Sequence, residues 1–258
     1  MSWLFGNDKD TCPIEESQRQ WIDNALLWLL KAFGEENIIA KKMLTPSFED
    51  FPIKFNGEHQ TTIDTCNIIA SQMDINPADI SLDIYEEGRE EISTGSPTGV
   101  RIFMQNDNAG KSTSGLYWGK QEDGKYHVAL EEKNLSQPEK MIATLSHELS
   151  HIKLLGEGRI EKNNEPLTDL TTVVFGLGVF NANAAFQFRN NRDSWGYSKL
   201  GYLSQMEWGY ALALLSHLKK EENPKWAEYL DRSVKADFKQ STRFILKNPD
   251  LLFQKSKG

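Results

Sequence analysis

Cysteine is scarce in this chain: Cys12 and Cys66 stand far apart, with no C-x-x-C spacing. That pair leaves room for one disulfide at most, and such usage fits a reduced, cytoplasmic protein. Long apolar runs are missing as well. The two longest, residues 25–30 (ALLWLL) and 173–180 (VVFGLGVF), fall well short of the ~18–20 residues that a membrane-spanning helix needs. The N-terminal MSWLFGNDKD has no basic stretch ahead of an apolar core, so it does not read as a secretory signal. Basic residues are outnumbered, 29 against 37 acidic, and no local Lys/Arg cluster reverses the formal charge of −8. Nucleic acid is therefore not an expected partner. Residues 109–112 (AGKS) are only a fragment of a phosphate-binding loop, which argues against an NTPase. What the chain does have is 39% apolar residues, with seven Trp and thirteen Phe among 258 positions. That is enough for one substantial core, or at most two modest ones.

No repeat or low-complexity segment interrupts the chain. Residues 17–33 predict an amphipathic helix that buries Trp21, Ala25, Trp28, Leu29 and Ala32 and stops at Gly34. A second helix is expected over 62–73. From about residue 80 to 131 the texture changes: ISLDIYEE, TGVRIFM and KYHVALEE alternate apolar and polar positions, which predicts three or four strands. The pattern then returns to helices. S-Q-P-E (136–139) has the form of a capping box, N-E-P (164–166) starts another helix, and S-Q-M-E (204–207) is again a Ser-x-x-Glu box. Residues 226–247 add one or two amphipathic helices. The expected organisation is a single α+β domain, helical over 1–78, strand-rich over 79–135 and helical over 136–258.

Two of the five histidines fall in TLSHELSHIKLLG, residues 144–156. If 138–155 is helical, positions four apart differ by about 40° around the axis, so His147 and His151 share a face. Their imidazoles can then converge on one ion, while Met141, Leu145, Leu149, Ile152 and Leu155 form a separate apolar stripe. Glu148, offset by about 100°, can lean over the metal as a general base without binding it. The bland alternative is an ordinary helix with two solvated histidines, so a third ligand is required. One pattern offers Glu157, but it has Leu154 where H-E-x-x-H-x-x-G-x-x-H has glycine. The other places a glutamate on the next helix, where Glu165 and Asp169 stand four apart in NNEPLTDL. Glu165 would complete a His2Glu zinc site, and Asp169 would hold the free ring nitrogen of a ligating histidine. Glu161 is a further candidate.

H-E-x-x-H followed by N-E-x-x-T-D resembles the gluzincin metallopeptidases, including the thermolysin-like group, over about 30 residues (145–174). The resemblance implies a zincin-like fold, with a small mixed sheet packed on the histidine helix. It also implies one Zn2+ on His147, His151 and Glu165, catalytic base Glu148, supporting acid Asp169 and a peptide or protein substrate. Two departures stand out: only 13 residues separate His151 from Glu165, and Pro166 follows the third ligand.

Hydrolysis also needs a group that holds the oxyanion. Tyr197, Tyr202, Tyr210 and His217 are candidates; Tyr202 is favoured because it precedes the Ser204 cap. Against this, Tyr202 can simply pack beside a Leu203/Trp208 staple. His59 and His127 have no partners in the sequence that support a ligand role. Strand Tyr126–Glu131, with Glu131 and Glu132 pointing outward, is read as an edge that accepts a peptide by strand addition. Residues 88–99 read as a flap or a long hairpin loop. The competing class is a zinc-bearing scaffold without proteolysis, which would have no need of a base at Glu148. Metal analysis of the purified chain should return about one zinc per chain; a metal-free result would leave only the ordinary helix.

Overall fold

Alternation of apolar residues does produce a sheet, and the 3.6-residue periodicity on either side of it produces helices. The computed structural model describes residues 11–85, 115–190 and 202–254. Among these residues the protein is α+β, with eight α-helices and a three-stranded mixed sheet. Helices α1 (Glu16–Phe33), α2 (Glu35–Ala40) and α3 (His59–Gln72) precede strands β1 (Ile80–Tyr85), β2 (Gly115–Lys120) and β3 (Tyr126–Glu131). Then come α4 (Pro138–His151), α5 (Glu165–Val174), α6 (Gly178–Asn190), α7 (Gln205–Leu218) and α8 (Arg232–Lys247). None of the described helices is long and apolar enough to cross a membrane, and Cys12 and Cys66 are free thiols. The expected strand at 98–104 and the flap at 88–99 lie outside the described residues.

The strand order is β1-β3-β2, with β1 parallel and β2 antiparallel to β3. This corrects the reading of Tyr126–Glu131 as an edge. β3 is hydrogen-bonded on both sides, so it has no free ladder for an added strand. Glu131 is buried and ion-paired with Lys133, while Glu132 is exposed in the turn that follows. Val128 and Leu130 belong to the core, and Tyr117, the register partner of Val128, shares their face.

Helix α1 corrects a second expectation. Its buried face carries Ile22, Leu26, Leu29 and Leu30 together with Arg19 and Asp23, while Trp21 and Trp28 are exposed at 37% and 38%. The reason is polar. Asp23 accepts from the Tyr210 hydroxyl at 2.7 Å and from the Phe253 backbone at 3.0 Å, and pairs with Arg19 at 3.2 Å. Hydropathy counts that satisfied pair as surface, which swings the apparent apolar face toward the tryptophans. The expected capping box at Ser136 is also absent. Gln137 is the N-cap, and Ser136 Oγ donates to the Lys133 carbonyl instead. The helix start expected at 164–166 and the box at Ser204 both form: Asn164 caps α5 through Leu167 N, and Ser204 with Glu207 makes the full reciprocal pair.

These helices meet around α4, which packs on α3, α5, α6, β2 and β3, while α1 backs α5 and α7. The N-terminal third is thus the support of the central helices. One seam needs glycine: at Gly176 φ is +80°, and a Cβ would lie 2.1 Å from the Lys42 carbonyl oxygen. The close approach lets Gln72 Nε2 donate to both the Lys42 and Phe175 carbonyls, at 2.9 and 2.8 Å. In urea titrations Leu26→Ala should cost about 2–5 kcal/mol. Trp28→Ala should cost about 1 kcal/mol or less. Equal costs would return the buried face to the tryptophan stripe.

Candidate metal centre

Helix α4 is buried along nearly its whole length, from Met141 to His151, with His147 on its more open side. The i, i+4 spacing stacks the two imidazoles with ring centroids 5.1 Å apart and planes at 87°. The helix then widens into a single π-helical turn, Ile152–Gly156, so that Leu154 is buried and Leu155 only half-buried. That shifts the last position of the expected apolar stripe by one residue.

Helix α5 supplies the acids. Its N-cap, Asn164, fixes the first turn, and Glu165 projects from the first helical position toward α4. Asn163 Nδ2 donates to Glu165 Oε1 at 2.7 Å, which leaves Oε2 facing the histidines. Oε2 is 3.1 Å from His147 Nε2 and 3.7 Å from His151 Nε2. His147, His151 and Glu165 each bring one ligand atom, all within 4.8 Å of one another. Ligands at ~2.0–2.2 Å from a tetrahedral zinc stand roughly 3.4 Å apart. The 3.1 and 3.7 Å separations straddle that value. His147, His151 and Glu165 could therefore hold one metal ion between them.

One turn further along α5, Asp169 Oδ1 lies 3.0 Å from His147 Nδ1. With Nδ1–H bound to this carboxylate, the Nε2 lone pair faces Glu165. Both ring nitrogens of His147 thus look at carboxylates. Burial acts against protonation of His147, but the hydrogen bonds to Asp169 and Glu165 outweigh it and raise the ring to about 10. A cation beside Nε2 takes the place of that proton. His151 behaves in the opposite way: burial, then the charge of His147, pushes it down to about 4, which keeps the imidazole neutral. Burial alone would raise Glu165, yet the hydrogen bond and charge of His147 hold it below its usual value. Glu148 is buried beside this group. Its carboxyl is pushed up to about 7 by burial, with His147 pulling it down and Glu165 adding to the rise.

The other candidates separate cleanly. Glu157 is engaged elsewhere, ion-paired with Lys153 and, at 2.9 Å, with Arg159, while Glu161 is exposed. Tyr202 lies over His147, ring centroids 6.4 Å apart and planes 20° apart, and its phenol is hydrogen-bonded to Glu165. Burial and the charges of Glu165 and Asp169 raise that phenol. Leu203 and Trp208 are indeed buried beside it, but Tyr202 itself is 42% exposed. Tyr210 is spent on Asp23, His217 lines a small cleft between α7 and α8, and His59 is exposed. Tyr197 lies outside the described residues. His127, which had no evident partner in the sequence, sits between Asp83 at 3.4 Å and Asp123 at 3.0 Å.

Three contributors escaped the sequence reading. Asn163 orients Glu165 and was visible only as a neighbour in NNE. Tyr117 on β2 stacks on His151, ring centroids 5.7 Å apart and planes at 16°, a contact between residues 34 positions apart. The backbone amides of Tyr202 and Leu203 both donate to Asp169 Oδ2, at 2.6 and 3.1 Å. Glu165→Gln should weaken metal binding at least ~10-fold in chelator competition, while Glu157→Gln leaves it unchanged. A larger loss from the Glu157 variant would reverse the ligand assignment. Comparisons of the chain with protein-family models, with curated proteins and with solved structures found no match, so a functional reading rests on the geometry of this centre.

Proposed function

We propose that this chain is a zinc-dependent metallopeptidase of the gluzincin kind, with a zincin-like fold. His147, His151 and Glu165 hold the metal, and Glu148 serves as general base. The observation that carries the reading is convergence: three donors from two helices come within 4.8 Å of one another, and Asp169 fixes the outer nitrogen of one of them. Two imidazoles and one carboxylate suit zinc better than magnesium or calcium, which prefer all-oxygen surroundings. The two free cysteines suit a cytoplasmic location.

Zinc, when bound, supplies Lewis acidity that lowers the pKa of water toward ~7 and draws charge from a scissile carbonyl. The chain's own residues do the rest. Glu148, held in a buried position beside the ligands, accepts the proton of the attacking water and returns it to the departing amine nitrogen. Tyr202, whose hydroxyl already lies at Glu165, donates a hydrogen bond to the oxygen that gains negative charge. Asp169 keeps His147 Nδ1 protonated, so that Nε2 remains a donor of electrons. An extended peptide would lie along β2, the outer strand on that side among the described residues, whose Tyr117 rests on His151.

The test is a peptide-library incubation with and without chelator, run beside Glu148→Gln. The wild type should cut in a chelator-sensitive way. The variant should keep about one zinc per chain and lose at least ~100-fold in kcat. Metal loss with activity retained in Glu148→Gln would overturn the assignment of the base. Full zinc binding by a wild type that cuts nothing would leave the non-proteolytic scaffold.

A further inference from the structure

Asp169 has two oxygens with separate employments. Oδ1 faces His147 Nδ1 at 3.0 Å, and Oδ2 receives the backbone amides of Tyr202 and Leu203 at 2.6 and 3.1 Å. The side chain is 1% exposed, so all three donors share one carboxylate shielded from water. We infer that Asp169 is a positioning residue for both halves of the centre, fixing the metal ligand His147 and, through the backbone that bears it, the phenol of Tyr202. This inference rests on the metallopeptidase reading above and adds a coupling that the reading does not require.

The geometry around Tyr202 explains why a backbone anchor matters there. Tyr202 is 42% exposed; its ring lies over His147 and its phenol reaches Glu165. Leu203 is buried, and Ser204 with Glu207 closes the first turn of α7. Asp169 therefore fixes the backbone where an exposed ring must be aimed, and α7 fixes the direction in which the chain leaves. Aspartate is required because three N–H donors converge on it. Asparagine offers one carbonyl oxygen and an amide that donates, so it cannot serve His147 and the two backbone amides together. With a metal on Nε2 the proton must sit on Nδ1, and then, whichever way the amide turns, one donor set meets another donor.

The experiment combines Asp169→Asn, Tyr202→Phe and the double variant. Zinc affinity is read by chelator competition, and kcat and KM are read at saturating zinc. Tyr202→Phe should lower kcat at saturating zinc. Asp169→Asn should weaken zinc 10–100-fold. It should also lower kcat once zinc is saturating, and the double variant should be little slower than Asp169→Asn alone, because the phenol is already misplaced. Wild-type kcat for Asp169→Asn at saturating zinc, or losses that multiply in the double variant, would overturn the coupling. A readout without catalysis separates this outcome from failure of the peptidase reading. In chain labelled with 3-fluorotyrosine, the 19F resonance missing from Tyr202→Phe identifies Tyr202. Its position in zinc-loaded protein should differ between wild type and Asp169→Asn; an identical position would overturn the coupling whether or not any peptide is cut. If Asp169→Asn does not fold, Asp169→Glu, which keeps both acceptors on a longer arm, is read in the same way: a displaced resonance supports the coupling and an unmoved one overturns it.

Discussion

Enclosure of α4 is the constraint on which the rest of the molecule depends. In a helix covered by α3, α5, α6, β2 and β3 the polar groups carried inward depend on partners within the protein, and among the described residues Thr144 Oγ1 and His151 Nδ1 are buried without one. Ser146 Oγ donates to the Ala143 carbonyl and accepts from Asn181, and Ser150 Oγ donates to the Ser146 carbonyl. The histidines cannot be satisfied in that local way. They draw Glu165 and Asp169 in from α5, and Asp169 in turn draws in the start of α7. The arrangement of helices about α4 is therefore as much a solution to buried charge as a way to cover apolar surface.

The same constraint sets the electrical character of the centre. Glu165, Asp169 and Glu148 surround two imidazoles that are driven in opposite directions, one kept protonated by its carboxylates and one kept neutral by burial. A group so balanced in a poorly solvated place is expensive to assemble for structure alone. Replacing the proton on His147 by a divalent cation would engage Glu165 Oε2 and His151 Nε2 at the same time, which is the physical content of the proposed role.

How much of this was legible in the sequence follows from how local each feature is. H-E-x-x-H and N-E-x-x-T-D were legible because helical spacing alone determines which residues share a face, and the caps at Asn164 and Ser204 are set within one turn. The strand order was not, because β1 and β3 pair across 40 intervening residues and nothing local states which strand lies between the others. The buried face of α1 was misread because Arg19 and Asp23 neutralise each other only in the presence of Tyr210 and the backbone at Phe253. His127 looked unattached for the same reason, since one of its carboxylates lies on a different strand. Asp169 was legible as a partner of one of the two histidines, but not which one, nor as an anchor for Tyr202, which depends on where α7 begins.

The turn after His151 ends at Gly156, where a Cβ would stand 2.7 Å from the Tyr126 ring and 2.9 Å from the Tyr117 hydroxyl. Tyr126 donates to the Gly156 carbonyl at 3.1 Å, so the sheet leans on bare backbone at this spot. Because Tyr117 is the ring that lies on His151, the closeness of sheet to helix also sets how that ring meets the imidazole. The approach of the sheet to the centre is thus governed by a residue with no side chain. A methyl group there would act as a wedge against the Tyr126 and Tyr117 rings.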